Sequence, residues 1–168
     1  MVVLSGKQVA MYIKNIISNK QIQVNGVDLT LDTVYTWKSE GLLEDGRSLP
    51  EYIEIKPDGR QIYNLRPGAY LIRYSEVISI PKDAIGIVLP RSSLMRMGAT
   101  ICSAVWDSGY IGRGVGLLIV FNPFGIRIKK YARIAQIIFI KAEAAGVYEG
   151  EYKGEGLNPN RNHLASEK

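Results

Sequence analysis

A single cysteine, Cys102, and a single histidine, His163, occur among the 168 residues of this chain, and their scarcity excludes whole classes of chemistry. No intrachain disulfide can form. A structural zinc site takes about four Cys or His ligands. The zinc nucleobase deaminases need a His/Cys/Cys or Cys₃ set. Neither can be assembled from one copy of this chain. A Ser-His-Asp or Cys-His arrangement would have to use His163, in a polar stretch close to the C-terminus where a base is hard to hold rigidly. Cys102 itself is expected to be a small buried strand residue. Long apolar runs are missing too. Nothing approaches the roughly 18 uninterrupted apolar residues of a membrane span, so no membrane partner is expected. The apolar stretch at the N-terminus is too short for a secretory signal, and a cytoplasmic address is expected.

Acid is scarce where base is plentiful. Between Pro90 and Arg133 stand seven bases (Arg91, Arg96, Arg113, Arg127, Lys129, Lys130 and Arg133) and one acid, Asp107. The net charge of the whole chain is only +5, and residues 34–60 hold six acids against four bases, so positive charge is concentrated in the central third. Such concentration suggests an anionic ligand. The plainer alternative is that these bases coat solvated strand faces. A lone carboxylate in a basic segment punctuated by Gly and Ser suits a polyphosphate and a water molecule aimed at it, and we read a nucleotide site there.

The length suits one domain with a substantial core. Ser5-x-x-Gln8 reads as a capping box, and Val9, Tyr12, Ile13, Ile16 and Ile17 follow at helical spacing, which predicts one amphipathic helix over about residues 6–18. From Gln21 the pattern changes to short apolar runs bounded by turn residues. Strands are expected at 22–24, 27–31, 52–55, 69–72, 77–80, 85–89, 100–105, 115–121, 126–128 and 134–140. Many short strands at close spacing indicate a mainly β barrel or jelly roll. Residues 35–65, with Asp45-Gly46 and Pro57-Asp58-Gly59 turns, read as hairpins or long loops. Residues 1–145 would form the β domain, and residues 146–168, polar and rich in glycine, a flexible C-terminal tail.

Pro90-Arg91-Ser92-Ser93-Leu94 follows an expected strand and places two hydroxyls and a guanidinium at its end, a set suited to phosphate oxygens. A turn that merely caps a short helix would have the same composition. Then come Trp106-Asp107-Ser108-Gly109-Tyr110-Ile111-Gly112, Asn122, and Arg133-Ile134-Ala135-Gln136. This ordered set resembles the dUTPase and dCTP deaminase superfamily, closest to a deaminase-like, archaeal-type dUTPase. The resemblance covers roughly residues 65–140, and Asn25-Gly26-Val27-Asp28-Leu29 looks like the first motif of the same family.

The resemblance implies a distorted jelly roll or β-barrel of the dUTPase type with one N-terminal helix, assembled as a homotrimer with sites at subunit interfaces. It implies that Asp107 holds the attacking water and the sugar hydroxyl, and that Tyr110 packs under the deoxyribose. Arg91, Ser92, Ser93 and Gln136 would contact the phosphates, with Asp28 in support. Arg96 matches the deaminase-style extension of its motif, and Tyr152, Lys153 and Gly156 lie in a tail that looks more like a deaminase's. Mg²⁺ would be held mainly by the triphosphate, with a water-mediated contact to Asp28 as one arrangement. The implied activity is dUTP diphosphatase, yielding dUMP and pyrophosphate. Where the deaminases carry a glutamate three residues before the strand-ending Asn, this chain has Ile119, and no acid lies from Ser108 to Asn122. That absence speaks against a dCTP deaminase or bifunctional enzyme, which Arg96 and the tail nonetheless keep as the first alternative. A non-catalytic nucleotide-binding β module is the second, and no nucleic-acid partner is expected. From Tyr110 to Asn122 the chain is about two residues longer than the usual dUTPase spacing, which enlarges the hairpin Gly112-Arg113-Gly114-Val115-Gly116 that reads the base in that family.

Overall fold

The computed structural model describes residues 2–158. The expected capping box is present: the Ser5 N–H donates to Gln8 Oε1 at 3.0 Å, and the Gln8 N–H to Ser5 Oγ at 3.4 Å. The helix it starts, α1 (Gly6–Ala10), has five residues and not the dozen expected. Ile13 supplies the reason, because its apolar period fits a strand as well as a helix, and in the fold β1 (Ile13–Lys14) pairs with a later strand at Ile78 and Val77. Tertiary pairing overrides the local period. Next comes a 3₁₀ turn at Asn19–Gln21, and the strand expected at 22–24 is reduced to a single bridge between Ile22 and Val27.

Strand β2 (Val27–Trp37) runs on past its expected end. After it come a small hairpin of β3 (Leu42–Leu43) and β4 (Arg47–Ser48), then β5 (Tyr52–Ile55), β6 (Ile62–Leu65), β7 (Gly68–Tyr74) and β8 (Val77–Ser79). Residues 35–65, read as loops and hairpins, thus hold regular strand pairing as well. β9 (Ala84–Pro90) leads into a second short helix, α2 (Ser92–Arg96), which the expectation of one helix omitted. The rest is β10 (Ala99–Cys102), β11 (Ile111–Gly112), β12 (Val115–Val120), β13 (Ile126–Lys129) and β14 (Arg133–Lys141).

The main sheet is antiparallel, in the order β10-β12-β7-β2-β14-β9, with β5 also on β2. Its end strands β10 and β9 lie against each other, so the sheet curls into a nearly closed barrel, as the mainly β expectation required. β2 is the seam: Val27–Thr30 face β14, and after an irregularity between Leu31 and Thr33 the strand pairs with β7 and β5. That switch buries nine successive residues of β2, where a one-sided strand would alternate. Leu29, Leu31, Ile72, Tyr74, Leu118, Ile137 and Phe139 form the centre of the core. Cys102 is exposed at the end of β10, contrary to expectation, because the chain leaves the sheet there and the strand stops three residues early. Residues 146–158 are folded onto the barrel: the N–H of Tyr148 donates to the Ser108 carbonyl and that of Gly154 to the Ile111 carbonyl, both at 2.7 Å. This differs from a free tail, and His163 lies outside the described residues.

Candidate active site in two halves

The carboxylate of the basic segment stands on a tight turn. The Trp106 backbone exchanges hydrogen bonds with Gly86 of β9 at 2.8 and 3.0 Å, and the Tyr110 N–H closes back on the Asp107 carbonyl at 3.1 Å. Gly109, at φ +79°, supplies the conformation that this turn needs. Ser108 Oγ donates to the Ala84 carbonyl at 2.7 Å and pins the turn to β9. Asp107 is left exposed on the lip of a cavity of about 310 Å³, walled by Trp106, Tyr110, Gly114, Val115, Tyr148, Tyr152 and Glu155. The Tyr110 ring stands edge-on to Trp106 at 5.2 Å and to Tyr148 at 5.7 Å. Burial, with the charge of Glu155 and then Tyr148 adding to it, pushes the Tyr110 phenol well above its ordinary range, so it stays protonated at neutral pH. An aromatic cavity with a carboxylate at its edge suits a flat, polar heterocycle with a charged substituent reaching outward.

The second half lies where β9 ends. Arg91 is the N-cap of α2, its N–H held by the Ile134 carbonyl at 3.0 Å, while buried Leu94 anchors the helix. Ser92, Ser93 and Arg96 are exposed. Half-buried Gln136 on β14 sits between Asp28 of β2 and Leu89 of β9 in register. Asp28 is 2% exposed and pairs with Arg91 Nε and with Arg133 Nη1, each at 3.1 Å. Burial pushes its carboxyl above the usual range, against the pull of the two guanidiniums. Asp28 therefore orients Arg91. The water-mediated magnesium contact considered for Asp28 does not fit, because the carboxylate is buried and faced by two arginines. Among the described residues no group of three or more His, Cys, Asp or Glu could hold a metal ion.

One chain does not bring the two halves together. Asp107 follows the residue paired with Gly86 and points the chain away from Arg91, which lies five residues beyond Gly86 on the β9 line, a backbone span of roughly 17 Å at about 3.3 Å per residue. Of the tail residues singled out, Tyr152 lines the cavity under the Arg47 guanidinium, 5.2 Å from its ring centre. Lys153 Nζ pairs with Glu149 at 2.8 Å, and Gly156 lies against Arg113.

Apart from Asp28, several residues around the two halves were missed by the sequence reading. Val27 to Asp32 alternate apolar and polar, a pattern that ordinarily puts Asp28, Thr30 and Asp32 in water. Here all three are buried against partners. Glu76, fully buried, accepts from Gln21 Nε2 and Thr30 Oγ1 at 2.7 Å and from the Thr30 N–H at 3.0 Å. Burial pushes its carboxyl up. Asp32 faces Arg113 at 2.7 Å, Lys130 at 3.3 Å and Arg73 at 3.4 Å. Burial opposes its ionisation, but Arg113, the Thr33 hydroxyl and Lys130 together hold its carboxyl below the ordinary range. The alternation of polar residues in Val27–Asp32 was the only signal for this cluster. Tyr148 and Glu155 carried none.

Comparison with known proteins adds the following. A family model described as dCTP deaminase-like matches residues 3–142. A protein of Methanocaldococcus jannaschii named deoxyuridine 5'-triphosphate nucleotidohydrolase is 45% identical over 149 residues, 84% of this chain and 94% of its own length. One of Aeropyrum pernix, named as a probable enzyme of the same kind, is 42% identical over 143 residues, 83% of this chain and 89% of its own. The crystal structure of 2'-deoxycytidine 5'-triphosphate deaminase from Agrobacterium tumefaciens shares the fold, with a TM-score of 0.65 at 18% identity over 84% of this chain. This chain spans about half of that longer one, 48%.

Proposed function

The chain belongs to the dCTP deaminase-like family, and from that premise we propose that it is a dUTP diphosphatase, hydrolysing dUTP to dUMP and pyrophosphate by water attack on the α-phosphorus. The curated relatives covering most of its length carry that name. The observation that carries the reading is the exposed carboxylate of Asp107 at the lip of the aromatic cavity, the one acid in a segment otherwise basic. Asp107 would orient the water and accept its proton. Tyr110 would pack under the deoxyribose and leave no room for a 2′-hydroxyl. Arg91, Ser92, Ser93 and Gln136 would hold the phosphate chain, with Arg91 aimed by Asp28. Arg96, exposed one helical turn further on, would meet the outer phosphates. Magnesium would arrive on the triphosphate, because the described residues build no cage for it.

The roughly 17 Å between the halves supports a site shared by two copies, and hence the symmetric trimer that the resemblance implies. A triphosphate bound at Arg91 of one copy would then present its nucleoside to the cavity of the next. The deciding assay presents dUTP, dCTP, dTTP and UTP with Mg²⁺ and scores pyrophosphate and ammonia separately. Pyrophosphate from dUTP in preference to the others is expected. Absence of pyrophosphate from all four would sink the reading, leaving a dCTP deaminase if dCTP releases ammonia and a non-catalytic nucleotide-binding module if it does not.

A further inference from the structure

β11 pairs with β8 and not with β12, so Gly112–Gly116 is not the hairpin tip expected from the sequence. Arg113 lies instead late in the connection of the hairpin that β10 and β12 form, between β11 and β12, and it has no part in the chemistry proposed above. Its side chain turns back onto the barrel: Nη2 donates to Asp32 Oδ2 at 2.7 Å and to the Tyr74 carbonyl at 3.2 Å. Exposed ion pairs contribute little. Here the Asp32 side chain is 11% exposed and that of Arg113 23%, so water and salt screen the pair weakly. Asp32 is held ionised, and Arg73 and Lys130 share it.

The other side of the hairpin faces the cavity. Gly112 and Gly114 flank Arg113, and neither position has room for a Cβ: it would stand 2.5 Å from the Tyr110 hydroxyl at Gly112 and 2.3 Å from the Trp106 ring at Gly114. Residues 112–114 are therefore pressed onto two of the rings that wall the cavity. The Arg113 N–H donates to the Glu155 carbonyl at 2.8 Å, and the Gly154 N–H to Ile111, so the tail hangs on the same hairpin. Tyr152 and Glu155 enter the cavity wall with it.

We infer that Arg113 is a positioning residue, whose ion pair with Asp32 sets how closely residues 112–114 sit on Trp106 and Tyr110 and thereby fixes both the width of the cavity and the docking of the tail. The effect on turnover rests on the reading of this cavity as the nucleoside site. The hold on the tail does not.

The test compares Arg113→Ala, Arg113→Gln and Arg113→Lys with the parent in the full chain. Tryptic cleavage after Lys153 is followed by mass without nucleotide, and kcat and KM are measured for dUTP with Mg²⁺. Loss of the charge-assisted hydrogen bond to Asp32 should raise KM about tenfold in the Ala and Gln variants, with a smaller change in kcat. Cleavage after Lys153 should quicken by a similar factor, about tenfold, and Lys should restore most of both. Arg73 and Lys130 continue to neutralise Asp32, so the fold is expected to survive. Parent-like KM and cleavage in the Ala and Gln variants would overturn the inference, as would an unfolded Ala variant alongside a parent-like Gln variant. Equal impairment in Lys, tracking a common fall in Tm, would mark a merely structural role and overturn it as well. A parent inert towards dUTP would sink the functional reading instead, and the cleavage rates would then decide the role of Arg113.

Discussion

Arg91→Ala and Asp107→Asn should each be nearly inactive alone and recover activity when their subunits are co-assembled. Asp107→Asn keeps the shape of an exposed side chain but cannot accept a proton, and a loss of about 10²-fold is expected. Arg91→Ala removes a guanidinium bound to Asp28 at 3.1 Å. Arg133, also at 3.1 Å, still neutralises that buried carboxylate, so the variant should fold at a cost of about 1–3 kcal/mol. Under the proposed division of the site, Asp107 comes from one copy and Arg91 from another. In a random equal mixture, half of the copies offer an intact Asp107 and half an intact Arg91, so about a quarter of the sites are whole. Subunits are mixed by mild denaturant and dilution, and pyrophosphate release is measured before and after. Recovery to about a quarter of the parental rate is expected. A mixture no more active than the average of its two components, with exchange verified by mass-tagged subunits, would refute a site divided between copies.

Tyr110→Ala should narrow the dUTP-to-UTP ratio of kcat/KM, because the ring that walls the cavity beside the sugar is removed; an unchanged ratio in folded protein would assign Tyr110 to packing against Trp106 and Tyr148 alone. Incubation with dCTP and Mg²⁺ should release no ammonia above background, since the β12 strand offers Ile119 where a ring-directed base would stand; stoichiometric ammonia would promote the bifunctional alternative. Asp32 makes stability fall in acid: its folded-state pKa lies below the unfolded value near 4, so its contribution is full above that value and is lost as pH falls through the folded one. In urea melts the difference between the parent and Asp32→Asn should stay constant above about pH 5 and shrink below about pH 4; a constant difference down to pH 3 would contradict the ion-pair account. Glu76 acts in the opposite sense, with a raised folded-state pKa whose stabilising contribution belongs to the acid side and is lost as pH rises through it.

The chemistry of the candidate site was legible in the chain itself because it depends on which residue types exist. One cysteine and one histidine removed thiol and zinc catalysis, and the lone Asp107 in a basic segment pointed to the cavity lip. Strand periodicity was legible too, as in Val115–Val120, where side chains alternate between core and surface. What sequence could not decide follows from contacts between distant segments. Ile13 joins a strand because Ile78 waits opposite it, and α1 is short for that reason. Asp28 was singled out only through the family motif and Asp32 not at all, and both are buried with arginines from far along the chain paired to them. The tail read as flexible because it is polar and glycine-containing, but its described residues 146–158 are held on the barrel by backbone hydrogen bonds to the Ser108 and Ile111 carbonyls and from the Arg113 N–H, which no composition encodes. The distance between Arg91 and Asp107 is likewise set by the register of β9. Residue types determine which chemistry is available, and the pairing of remote strands decides which groups meet, because burial and register are properties of the whole barrel and of no single segment.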